Sequence, residues 1–295
     1  SSTFASKNVV RDAQGQAIAQ AVNVAGLSLA GADAGNYSLG QSTANTTATI
    51  TPKVLSASGA VADKVYDGTA QAALTGLNGS GIVAGDAVTV QASSAAFSDK
   101  NVARDASGNV IAKTVTVTGL SIAGADANNY ALQGSSFTAQ ASILPKSLNI
   151  FATAQDKVYD GSTAAAGGVS ASNIVAGDAL QLSWAQGQFA SKDVSRNAQG
   201  QVQAQTVSFG NLQIAGADAH NYSLGQSTAN TTATISPKVL QVSVMASDKV
   251  YDGTVQAQTQ ASVAGVLGAD AVSVTPASST FASKNVVRDA QGQAI

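Results

Sequence analysis

Three copies of one hexapeptide, Asp-Lys-Val-Tyr-Asp-Gly, hold the residues best suited to chemistry: 63–68, 156–161 and 248–253. In the first copy Tyr66 could act as a general acid, with Lys64 lowering its pKa. Such a reaction also needs a convergent pocket and an acid–base partner near neutrality, and no histidine, cysteine or glutamate recurs with the motif. The same residues have a structural reading. A strand runs through Val65 and Tyr66, and Asp67-Gly68 turns it, because glycine accepts positive φ and aspartate bonds its own backbone. We read Tyr66, Asp67 and Gly68, with Tyr159, Asp160, Gly161, Tyr251, Asp252 and Gly253, as a turn of the fold. No catalytic residue is expected.

The other candidate chemistries are thin. Cysteine is absent, and His220 is the only histidine, in a slot that holds Gly35 and Asn128 in the other copies. Thiolate metal sites are thereby excluded, along with most catalytic triads and zinc sites. Asp63, Asp67, Asp86 and Asp126 could pool oxygens for calcium, but no D-x-[DN]-x-[DN]-G loop is present, and aspartate in Asp-Gly and Gly-Asp turns already has a local explanation. No metal or cofactor is expected. The sequons at Asn36, Asn45, Asn78, Asn221 and Asn230 arise readily in a chain rich in Ser and Thr. Net charge is −2 without a basic run, and no apolar stretch reaches the length of a membrane span, so neither nucleic acid nor a membrane is an expected partner.

The elements that carry these motifs form a repeat array. Residues 36–50 recur unchanged at 221–235, and residues 1–18 recur unchanged at 278–295. With the hexapeptide spacing, these offsets define one repeat of 92 or 93 residues. Pro52-Lys53, Pro145-Lys146 and Pro237-Lys238 mark its boundaries. Two complete repeats, 54–146 and 147–238, lie between the C-terminal part of a repeat (1–53) and the N-terminal part of another (239–295). The sequence reads as a window on a longer periodic polymer, with each end completed by the next stretch of chain or by an identical molecule.

Alternation at period two marks strands at Leu55/Ala57, Val88/Val90, Val115/Val117 and Leu120/Ile122, and at their counterparts. About seven short strands per repeat fit an immunoglobulin-like β-sandwich, and a tandem array of them would form an elongated rod. In "GADAGNYSL", "GADANNYAL" and "GADAHNYSL", Tyr37, Tyr130 and Tyr222 suit a tyrosine corner, whose hydroxyl anchors to nearby backbone. Loss of the Tyr130 hydroxyl is therefore expected to cost more than loss of Tyr66's, if the latter reaches solvent. A β-solenoid is the rival architecture, but no sub-period appears within the repeat.

Taken in order, Lys64–Thr69, Gly85-Asp86, Phe97–Val102, Lys113–Val115, Gly119-Leu120, Gly124–Asp126, Asn129-Tyr130 and Ile143–Lys146 resemble the YDG domain. This is a relative of the mostly bacterial Ig-like repeats, found in large secreted adhesins of the filamentous-haemagglutinin type. The segment 103–112 departs from the family pattern. With its counterparts it contains all four arginines, and it is expected as a protruding hairpin available for lateral contacts. The resemblance implies stalk or fibre repeats of an extracellular or cell-surface adhesin, exported by two-partner secretion. Partners would be neighbouring repeats or identical chains end to end, with receptor or polysaccharide binding in other regions. A self-assembling filament or sheath subunit and a polysaccharide-binding module are the alternatives.

Overall fold

Alternating Val and Leu positions become strands, and the Gly- and Asp-rich stretches become the bends between them. The computed structural model describes residues 1–295. The protein is all-β, with single-turn 3-10 segments at Ala34–Asn36, Ala127–Asn129 and Ala219–Asn221 and no α-helix. It divides into two compact units that do not follow the repeats. The first comprises Ser1–Ser147, Val175–Asp178 and Ala217–Ser223; the second comprises Leu148–Ile174, Ala179–Gly216 and Leu224–Ile295.

In the first unit, Lys53–Val61 is the middle strand of a three-stranded sheet. It pairs parallel with Tyr130–Leu132 and antiparallel with Leu74–Ser80. Lys113–Thr118 is the middle of another, between Ser94–Phe97 and Ser136–Ala141. Its side chains alternate strictly: Val115 and Val117 are fully buried, while Thr114, Thr116 and Thr118 face out, the pattern of a strand with one face in the core. Gly59 in the first sheet lies against the Phe137 ring of the second, where a Cβ would approach to 3.1 Å. The core gathers Leu55, Phe97, Val115, Val117 and Ile143.

Residues 54–146 hold more strand segments than the seven expected, because strands break where they change partners. Ser136–Ala141 pairs with Lys113–Thr118 and stops at Ser142; Ile143–Leu144 then pairs parallel with Lys64–Val65. At the break, Ser142 N–H donates to Asp63 Oδ1 (2.6 Å) and Lys64 N–H donates to the Ser142 carbonyl (3.0 Å). Asp63, weighed for calcium, serves this exchange. The partial repeat 1–53 contributes one sheet, in which Ala19–Ala25 lies between Ser2–Phe4 and Thr43–Thr49.

The second unit is built on a five-stranded sheet in the order Lys157–Val158, Ala229–Ser236, Ala204–Phe209, Gly187–Phe189, Ala164–Ala165. Val207, Phe209, Phe189, Val169 and Ile235 form its core. Thr234 N–H donates to Asp156 Oδ1, as Ser142 does to Asp63. Residues 239–295 supply one hairpin, Gln241–Ala246 with Thr259–Ala264.

Candidate functional site

The hexapeptide builds its own turn first. Gly68 has φ +82°, a left-handed value that favours glycine. Asp67 Oδ1 accepts from Thr69 N–H (2.9 Å) and the Thr69 hydroxyl (2.8 Å), and pairs with Lys64 Nζ at 2.7 Å. Lys64 also donates to the carbonyls of Thr69 and Gln71, so its charge is spent within the turn and away from the Tyr66 hydroxyl. The second and third copies repeat this, with Gly161 at φ +80° and Gly253 at φ +82°. Lys157 and Lys249 sit on Asp160 and Asp252, and these lysines hold both carboxyls at about 2, below the usual carboxylate range.

The turn delivers Tyr66 to the following repeat. Within the first unit, the Tyr66 hydroxyl donates to Asp178 Oδ2 at 2.9 Å, 112 residues further along. Tyr222 donates to the same oxygen at 2.6 Å, and Lys100 Nζ pairs with Oδ1 at 3.3 Å. The two phenol rings meet edge to face, centroids 5.5 Å apart, a favoured aromatic geometry. Tyr66 is 1% exposed and the Asp178 side chain 2%. The condition under which loss of the Tyr66 hydroxyl would cost less, that it reaches solvent, is not met: the ring lies under a loop of the next repeat. Gly68 belongs to the same contact, since a Cβ there would come within 2.7 Å of Val175 Cγ1.

Electrostatics fix these groups in their holding states. Burial, then the Asp178 hydrogen bond, pushes the Tyr222 phenol up to about 12; burial also raises Tyr66, against Lys100, which lowers it. Burial alone would raise Asp178, but donors from Tyr222, Tyr66 and Lys100 bring it below the ordinary carboxylate range. Neutral phenols thus donate to a charged carboxylate, the stronger class of hydrogen bond.

A second set of contacts joins the same two repeats. Val102 N–H donates to Asn221 Oδ1 (2.8 Å), and Asn221 Nδ2 donates to Asn101 Oδ1 (3.1 Å). Asn221 is fully buried, so its sequon lies inside the junction. Arg104 donates to the Gly108 carbonyl of its own hairpin (2.9 Å) and to the His220 carbonyl (3.4 Å). The arginine hairpin therefore reaches along the chain to the next repeat. His220 contributes only its backbone to this contact, and its side chain is exposed.

The junction between residues 1–53 and the repeat 54–146 repeats the valine, arginine and lysine contacts. Val9 N–H donates to Asn129 Oδ1 (2.8 Å), Arg11 to the Asn128 carbonyl, Lys7 lies 3.6 Å from Asp86, and Tyr130 donates to Asp86 Oδ2 at 2.7 Å. The Tyr130 hydroxyl also accepts from Val83 N–H, 47 residues upstream, where a tyrosine corner would bond a few residues back. In the second unit, Tyr159 donates to Asp270 Oδ2 (2.7 Å) and Lys192 reaches the Tyr159 hydroxyl (3.2 Å). Tyr37 and Tyr251 are exposed at 74% and 56%.

The YDG tyrosine docks on the aspartate loop of the next copy twice, Tyr66 on Asp178 and Tyr159 on Asp270. The YDG domain matches residues 51–139, 144–232 and 236–293. The chain belongs to the YDG-domain family. Comparison with curated proteins finds no match. The YDG tyrosine and glycine are junction residues here, and the YDG aspartate is the turn-former. The sequence did not mark Lys100, Asn101, Val102, Asp178 and Asn221 as partners across a junction. Their signal was the recurrence of Gly85-Asp86 as Gly177-Asp178, and of Asn36-Tyr37 as Asn129-Tyr130 and Asn221-Tyr222. Asp86 and Asp126, weighed for calcium, serve Tyr130 and the Ala87 N–H respectively, and no group of three or more His, Cys, Asp or Glu side chains converges to hold a metal.

Proposed function

We propose that this protein is a structural spacer. Its YDG repeats, each an immunoglobulin-like sandwich, would be clasped into a stiff rod forming the stalk or fibre of a secreted bacterial surface adhesin. The observation that carries this reading is the Asp178 clasp: a buried carboxylate of one repeat takes donors from Tyr66 and Lys100 of the repeat before it. Polar groups at this junction are spent on the adjoining repeat, and their phenols stay protonated at neutral pH.

Two further features support it. Only Pro145 separates Ile143–Leu144 from Lys146–Ala154, and so short a connection restricts rotation between domains. Two three-stranded sheets sharing one core suit a sandwich. The absence of cysteine suits export of an unfolded chain to the cell exterior.

Rotary-shadowed electron microscopy combined with small-angle scattering tests the proposal. A spacer should add about 35–45 Å of length per repeat, set by strands of roughly ten residues, with little bending. Freely reorienting beads would contradict it.

A further inference from the structure

Parallel pairs in the two complete repeats join early strands to late ones. Lys64–Val65 lies parallel to Ile143–Leu144, and Lys157–Val158 lies parallel to the end of Ala229–Ser236. The first strand, Lys53–Val61, likewise starts in parallel beside Tyr130–Leu132. Hydrogen bonds cross the Lys64–Val65 pair in close succession. Ser142 N–H donates to Asp63 Oδ1 (2.6 Å), Lys64 N–H to the Ser142 carbonyl (3.0 Å) and Tyr66 N–H to the Leu144 carbonyl (2.8 Å). The second repeat places Thr234 N–H on Asp156 Oδ1 (2.6 Å) and Tyr159 N–H on the Ser236 carbonyl (2.8 Å).

Strand direction matters when a chain is pulled along its length. Tension enters a repeat on its N-terminal side and leaves it on its C-terminal side. Were the early and late strands antiparallel, the two pulls would act at the same end of the pair, and its bonds would open one at a time. In a parallel pair the pulls act at opposite ends. The strands must then slide past each other, and bonds spaced evenly along the ladder are strained together. Only Pro145 stands between Leu144 and the first strand of the next repeat, so no slack separates the late strand from the load. On the early strand, the Asp63 carboxylate adds a side-chain bond to the backbone ladder at the point where the pairing begins.

We propose that each repeat bears tension along the chain, with this parallel pair acting as a shear clamp and Asp63 and Asp156 fastening it. The source of the load rests on the spacer reading, whereas the clamp rests on strand direction and its bonds. Resistance to forced unfolding follows the unfolding barrier and not the equilibrium stability. Bonds in the clamp therefore count for more under load than core packing away from it, such as that of Val117, fully buried on Lys113–Thr118.

Single-molecule force spectroscopy tests the clamp on the 295-residue protein, held by a cysteine added at each end; these handles are unique because the chain has no cysteine. The wild type should give two ruptures at similar force. Each should free about 300 Å, the extended length of a repeat of 92 or 93 residues. Asp63→Ala, a change at an exposed position, should lower one rupture force by roughly a quarter, one share among the few bonds strained together. The other rupture, in the repeat that keeps Asp156, should not move. Val117→Ala should lower the denaturation midpoint more than Asp63→Ala does, and the rupture force less. Rupture forces that track the denaturation midpoint through both variants would overturn the clamp, as would two unchanged forces in Asp63→Ala. Neither result bears on stiffness in scattering, so the clamp and the spacer reading fail separately.

Discussion

Tyr66 and Tyr222, from consecutive repeats, share one carboxylate oxygen: both hydroxyls donate to Asp178 Oδ2, at 2.9 and 2.6 Å. Neither partner can leave without exposing a buried charge to a poorer set of donors. Tyr66→Phe and Tyr222→Phe should each lower stability by about 1.5–3 kcal/mol, the range for hydrogen bonds to charged groups. The double variant should lose less than the sum, because the two phenols serve one acceptor. Denaturant titration of the four proteins checks this; strict additivity would mean that the hydroxyls act independently.

Gly68 and Gly253 have the same φ of +82°, but only Gly68 has a neighbour, Val175, where a Cβ would stand. Gly253→Ala should cost about 1–3 kcal/mol from backbone strain alone. Gly68→Ala should cost more, because it also pushes the Val175 loop away. Thermal melts of the two variants separate strain from junction contact.

Stability should fall at both ends of the pH scale, for opposite reasons. Tyr222 is raised to about 12 and Tyr66 is raised as well. Their contribution is present below the unfolded tyrosine value of about 10 and is lost as pH climbs through the folded value. Asp178 is depressed and Asp160 lies at about 2. Their contribution is present above the unfolded value of about 3.9 and disappears as pH falls through the folded one. Unfolding midpoints from pH 2 to 12 read both limbs. Asp178→Asn should flatten the acid limb while reducing stability at neutrality.

Local features were legible in the sequence. Val115 and Val117 showed their strand by alternation, and Asp67-Gly68 showed its turn by composition. The role of Tyr66 was not legible, for a physical reason. Its partner Asp178 stands 112 residues away, beyond one repeat, and the repeat of Tyr66 also has a Gly-Asp loop of its own at Gly85-Asp86. A periodic sequence does not say whether a residue faces the loop of its own repeat or that of the next. The arginine hairpins were hidden similarly: Arg104 looks like a surface residue until the His220 turn is placed beside it. The extra strand segments were hidden because nothing in the sequence around Ser142 marks a break, and only the Asp63 hydrogen bond shows the change of partner.

The central claim is that consecutive YDG repeats are clasped, and the amide of Val102 reports on it directly. Its acceptor is Asn221 Oδ1, 119 residues away in the next repeat, so protection at this amide requires the junction to be closed. Native-state hydrogen exchange should find Val102 protected on the order of a hundredfold or more in the wild type. In Tyr66→Phe that protection should fall by about tenfold, as expected from roughly 1.4 kcal/mol of junction stability, while the Lys113–Thr118 strand stays unchanged. A Val102 amide exchanging like that of an open loop in the wild type, or unaffected by Tyr66→Phe, would contradict the clasp.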